Sequence, residues 1–179
     1  MILVTNINNP DILTCDEIWA IVRSLKSPQY GAKQVSELSP SKDLYHWFLS
    51  EKNSFRWTQR AFDEVYTPRF IKEFGKEAMA KIEELERLDK EGKNIALVCF
   101  CPDEERCHRK IVAGILQGRG IAKVQTDGNR DFSVYNDMLK AERKMSDKGL
   151  METANQMDTA KAVSKIPIRR IKRTERDRG

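Results

Sequence analysis

Ile95-Ala-Leu-Val-Cys-Phe100 is an unbroken apolar run that leads through Cys101-Pro-Asp-Glu-Glu-Arg106 into Cys107-His-Arg-Lys-Ile-Val112. In the last part Ile111, Val112, Ile115 and Leu116 fall on one helical face. A short apolar run closed by turn chemistry reads as a buried strand, so the stretch is strand, loop and helix N-terminus. A continuously apolar strand needs cover on both faces, which points to a parallel α/β sheet. The same stretch gathers three of the four cysteines and one of the two histidines.

Upstream, Met1-Ile-Leu-Val-Thr5 reads as a strand ended by Asn8-Asn9-Pro10-Asp11, and residues 18–22 read as a buried strand that presents Arg23 at its end. Ser39-Pro40 is a helix start with Ser39 as N-cap, ahead of Tyr45, Trp47 and Phe48. Arg56-Trp57-Thr58 opens a helix to Tyr66, and Thr67-Pro68 opens a longer one carrying Met79, Ile82, Leu85 and Leu88 and ending at Gly92. Downstream, the helix from Cys107 ends near Gly118, and Gly120 turns the chain into a last strand over 121–125. The fold expected is a small three-layer α/β domain over residues 1–125, its sheet mostly parallel with helices on both faces. Residues 126–164 form a helical and polar extension, with a helix around 133–144, and residues 165–179 form a basic tail.

Charge is concentrated in that tail. Residues 165–179 carry seven basic and two acidic side chains, a net +5, which equals the formal charge of the whole chain. The rest is balanced. A tail without apolar periodicity does not bury enough surface to order itself, so Arg169, Arg170, Lys172 and Arg173 are expected to lie on a disordered segment able to neutralise phosphates. With no signal-type leader and no apolar run of bilayer length, a soluble cytoplasmic protein is expected, with no membrane partner. Cysteines in such a compartment are not a disulfide framework. Cys15 reads as a packed residue, and Trp19, Trp47 and Trp57 read as core rather than as a base-stacking surface.

The cysteine-rich junction admits several chemistries. Cys107, in the field of a helix N-terminus beside His108 and flanked by Arg106 and Arg109, has the setting of a lowered-pKa nucleophile or redox centre. In a second reading Arg109 and the free N–H groups grip a phosphate or carboxylate while the thiol fills space. A third makes His108 an inward-facing core residue on the Ile111, Val112 and Ile115 stripe. Zinc on Cys99, Cys101, Cys107 and His108 is disfavoured by the adjacency of the last two, so neither metal nor cofactor is expected. With no glycine between Cys99 and Arg109, the loop is neither a Walker loop nor a dinucleotide fingerprint.

The segment Ala96-Leu-Val-Cys-Phe-Cys-Pro-Asp-Glu-Glu-Arg-Cys-His-Arg109 resembles the signature of the domain-of-unknown-function family 488, a strand ending in cysteine followed by a Cys-His-Arg helix start. Ala20-Ile-Val-Arg23-Ser24 with Pro28, Leu38-Ser-Pro-Ser-Lys-Asp-Leu44, and Arg56-Trp57-Thr58 with Val65-Tyr66 resemble other parts of it in order, so the likeness spans residues 1 to about 125. It implies a compact α/β domain of bacteria and their phages. It also makes Arg23, Tyr66, Cys99, Cys107, His108 and Arg109 candidates for one pocket, but implies no particular reaction. Cys101 departs from the acidic residue usual in the family. Together these readings point to a pocket for a phosphate-bearing small molecule or nucleic-acid end. In it Cys107 and His108 are catalytic, Arg23, Tyr66, Cys99 and Arg109 bind the ligand, and the two arginines converge on its anion. The alternative is a non-catalytic nucleic-acid- or protein-binding module that works through the basic tail.

Overall fold

The computed structural model describes residues 1–121 and 123–148. Five strands form one sheet: β1 (Ile2–Asn6), β2 (Glu17–Ala20), β3 (Lys33–Gln34), β4 (Ile95–Cys99) and β5 (Val124–Thr126). Their order is β3-β2-β4-β1-β5, and every pairing is parallel. The sheet is thus wholly rather than mostly parallel. The two runs expected as buried strands are direct neighbours, with Ile18 opposite Ala96 and Trp19 opposite Leu97. All five residues of β4 are buried. Because successive side chains alternate between faces, that burial means the sheet is covered on both sides. This is an α/β fold.

The helices are α1 (Lys42–Asn53), the single turn α2 (Gln59–Ala61), α3 (Thr67–Glu73), α4 (Lys76–Lys90) and α5 (His108–Gly118). Between α2 and α3 lies a π turn, Phe62–Tyr66, in which the Thr67 N–H reaches back to the Phe62 carbonyl. The compact unit Met1–Glu142 ends in a helix from residue 134, here α6, and the described residues of the second unit, 143–148, are helical. No helix among the described residues is long and apolar enough to cross a membrane.

Several boundaries move for local reasons. The N-cap of α1 is Ser41, not Ser39: its hydroxyl accepts from the Leu44 N–H and donates to Glu73 Oε1 at 2.7 Å. The long helix expected from Thr67 to Gly92 is two helices, because Phe74 turns into the core and Gly75 caps α4. Gly92 does end α4, at φ +80°, the left-handed position that only glycine takes without strain. Met79, Ile82, Leu85 and Leu88 form the buried stripe of α4 as their spacing predicts. The last strand is shorter than expected, and β3 carries two exposed residues with no apolar signature to announce it.

Residues 108–116 of α5 are all buried, so this helix is enclosed rather than half-solvated. His108 packs on Phe70 of α3, with ring centroids 5.8 Å apart. On another side the chain passes so close to Gly114 that an added Cβ would lie 2.0 Å from the Phe132 carbonyl oxygen. Phe132, Tyr135 and Leu139 are accordingly part of the core.

Candidate functional site

The chain leaves β2 toward one edge of the sheet and leaves β4 toward the other, although the two strands are neighbours. At such a switch point the carboxyl ends of parallel strands open into a crevice. A cleft of about 510 Å³ lies there, within the size range of small-molecule sites. Its floor is Cys99, Cys101, Cys107 and His108. Trp57, Phe48, Tyr45 and Tyr66 wall one part, and Arg23, Lys52 and Arg106 supply positive charge.

The floor follows from local geometry. Cys99 ends β4, the chain bends at Phe100, and Cys101 stands two residues on. The loop then folds back, its Cys107 N–H bonding the Glu104 carbonyl, and Cys107 becomes the N-cap of α5 with extended backbone angles. The three sulfurs lie within 4.8 Å of one another. The crowded thiols are coupled, and the lowering falls on Cys101. The neighbouring Cys107, then Cys99, holds Cys101 well below the usual thiol range. Its bond to Cys101 pushes Cys99 up to about 12, and burial pushes Cys107 up. The lowered pKa expected for Cys107 is therefore found at the more accessible Cys101. A thiol only 2 % exposed loses more from desolvation than the helix terminus returns.

His108 is oriented from below. Its Nε2 lies 2.7 Å from the Ile21 carbonyl, which only accepts, so Nε2 carries the proton and Nδ1 is left bare. Nδ1 faces Cys107 Sγ at 3.8 Å. Burial lowers the His108 pKa and keeps the ring neutral. Tyr66 stacks between Phe62 and Phe70, at 5.5 and 6.1 Å, and its phenol is pushed up by burial and then by the nearby cysteines. Trp57 meets Phe48 edge-on at 4.7 Å and Tyr66 at 5.4 Å.

The structure brings Arg23, Tyr66, Cys99, Cys107 and His108 to one cleft, and it places Arg109 elsewhere. Arg109 is fully buried behind the floor: one Nη donates to the Cys101 carbonyl and the other to Asp127 Oδ2 at 2.9 Å. Burial works against its charge, and the neighbouring Cys107 and Asp127 more than offset that. The expected convergence of Arg23 and Arg109 on one anion does not occur, because the guanidinium of Arg109 is committed to the protein. The second guanidinium at the cleft is Arg106, tied to Asp103 at 2.7 Å and to the Trp57 carbonyl at 3.0 Å. Arg23 is exposed and has no carboxylate partner among the described residues.

Sequence reading weighed Cys101 only as a metal ligand and Trp57 as core, and it missed Lys52 and Asp127. The Cys-x-Cys spacing at a strand end was the available signal for Cys101, whereas nothing local announces a wall assembled from α1 and the turn before α2. Arg169, Arg170, Lys172 and Arg173 lie outside the described residues.

A parallel sheet with a cysteine-floored cleft at its switch point defines an α/β domain whose cleft is built from strand ends and a helix N-terminus. The chain belongs to DUF488-N3a, the family described as the active DUF488-N3 subclade, whose model matches residues 4–120. The matched stretch contains every cleft residue named above, while Asp127 and α6 follow it. No curated protein and no solved structure matches the chain.

Proposed function

We propose that the cleft binds a phosphate-bearing ligand with an aromatic base, a nucleotide or the end of a nucleic-acid strand, and presents a cysteine thiolate to it. The observation that carries this reading is the meeting of three sulfurs, an aromatic wall and the cationic side chains of Arg23 and Lys52 in one switch-point crevice. Trp57 and Tyr45 offer faces for a base, and Arg23 and Lys52 offer charge for a phosphate. Cys101 is the nucleophile in this scheme. The Cys107 thiol stands between Cys101 and the bare Nδ1 of His108, a pair able to pass a proton. Arg109 acts as a positioning residue that holds the Cys101 carbonyl. The description of the family as an active subclade agrees with a reactive site.

The test is alkylation with iodoacetamide in chelator-treated protein, mapped by mass spectrometry. Cys101 is expected to react first, at a rate nearly constant between about pH 5 and 8, while Cys15 slows about tenfold per unit of acidification. Nucleoside monophosphates or short oligonucleotides protect Cys101, and Arg23→Ala removes the protection. Equal pH profiles for Cys101 and Cys15, with no protection by any nucleotide, would sink the proposal.

A further inference from the structure

We infer that Cys99, Cys101 and Cys107 form a mononuclear zinc site whose fourth coordination position opens into the cleft. Tetrahedral zinc with thiolates at about 2.3 Å holds its sulfurs about 3.8 Å apart. The three sulfurs already lie within 4.8 Å, so they need to close by no more than about 1 Å, a side-chain adjustment. Two of the ligands are on regular elements, the last residue of the central strand and the N-cap of an enclosed helix, and the third, Cys101, stands in the loop two residues beyond the strand. Three soft thiolates select a borderline or soft ion and discriminate against magnesium and calcium.

Cys107 and His108 are adjacent in the chain, too close to ligate one ion together. The geometry does without His108, whose Nε2 is held by the Ile21 carbonyl and whose Nδ1 lies beside a ligand, 3.8 Å from Cys107 Sγ. A second observation concerns charge. Zinc with three thiolates is a singly negative centre, which a dry site holds only beside a cation. Arg109, whose charge is shared with Asp127, borders the cluster: it is fully buried, bonded to the carbonyl of Cys101, and its Nε–H meets no acceptor among the described residues. The remaining side of the cluster faces the cleft, because all three cysteines line it. Uptake of Zn²⁺ forms three Zn–S bonds and releases to solvent the protons of the thiols that were not yet ionised. Three protein ligands with one open position is the arrangement in which zinc binds water or a substrate oxygen.

Ion binding depends on the cluster alone and not on the ligand proposed for the cleft. With zinc present the floor is a Lewis acid, and with zinc absent it is a thiolate.

The experiment is metal analysis of the full chain purified without chelator, followed by replacement with Co²⁺. The result expected is one zinc per chain retained through gel filtration. Cobalt should give thiolate charge-transfer absorption and the intense d–d bands of a tetrahedral site. Cys101→Ser weakens the affinity at least tenfold, whereas Cys15→Ser and His108→Gln each keep one ion. Loss of the ion from His108→Gln would overturn the open fourth position. Wild-type protein that retains no zinc, shows no cobalt thiolate spectrum and leaves all its thiols free to titrate beside equimolar zinc would overturn the site itself. Nucleotide protection of Cys101 surviving that outcome would show that only the metal inference had failed.

Discussion

Replacing Asp127 with alanine strands the charge on which the floor of the cleft is fixed. The Arg109 guanidinium has no contact with solvent, and its carboxylate partner is Asp127, 2.9 Å away. Removing one member of a fully buried pair costs about 3–5 kcal/mol, because the other charge stays in a medium that solvates it poorly. The Asp127 side chain is 32 % exposed, so water enters the space left behind and the lower end applies, about 3 kcal/mol. That is a large share of the roughly 5–15 kcal/mol of a typical domain. With a urea dependence of about 2 kcal/mol per molar, the unfolding midpoint followed by circular dichroism should fall by about 1.5 M. The double variant Arg109→Met, Asp127→Ala leaves no stranded charge and should be more stable than Asp127→Ala alone. A midpoint for Asp127→Ala within about 0.3 M of the wild type, or a double variant weaker than the single, would refute the reasoning.

Gly114→Ala forces a methyl group to within 2.0 Å of the Phe132 carbonyl, and backbone cannot yield as a side-chain tip would. A loss of about 3 kcal/mol is expected, with limited proteolysis cutting sooner between α5 and α6. His108 has its pKa lowered by burial and is neutral in the fold, whereas the unfolded chain takes up a proton below about pH 6.5. Stability should therefore fall as pH drops from about 6.5 toward the folded-state value. In His108→Gln, which keeps a donor for the Ile21 carbonyl, the change in urea midpoint between pH 7 and pH 5 should shrink.

The strands 18–22 and 95–100 were legible because each is a short apolar run closed by turn residues, and the Cys107 start of α5 because a polar loop gives way there to a helical stripe. The break at Gly75 was not legible. Thr67 through Leu88 keeps helical spacing across it, and only the tertiary demand to bury Phe74 divides the helix. Of the candidate site, the residues at the strand ends and helix start converge as their positions in the chain suggest. Arg109 does not join them, because adjacent helical residues point about 100° apart, and its direction is toward Asp127, a partner 18 residues away that sequence spacing does not reveal. Cys101 is weighed in the sequence as a metal ligand, whereas its contacts with Cys107 and Cys99 are what hold its thiol down, and those follow from the fold.

The π turn at Phe62–Tyr66 makes the aromatic wall a matter of chain length as much as of composition. A π turn is an α-helix carrying one residue too many, and the surplus is absorbed locally so that the flanking turns keep their seating. A single-residue deletion within it relaxes to ordinary α geometry with α3 still docked, and it changes which side chain occupies the place of Tyr66 above the sulfurs. The same deletion in the middle of α4 would rotate everything beyond it by about 100° and expose the stripe that holds the core. The wall can therefore be re-lettered by losing one codon, with the cost to the core confined to Phe62 and Tyr66, the two buried residues of the turn.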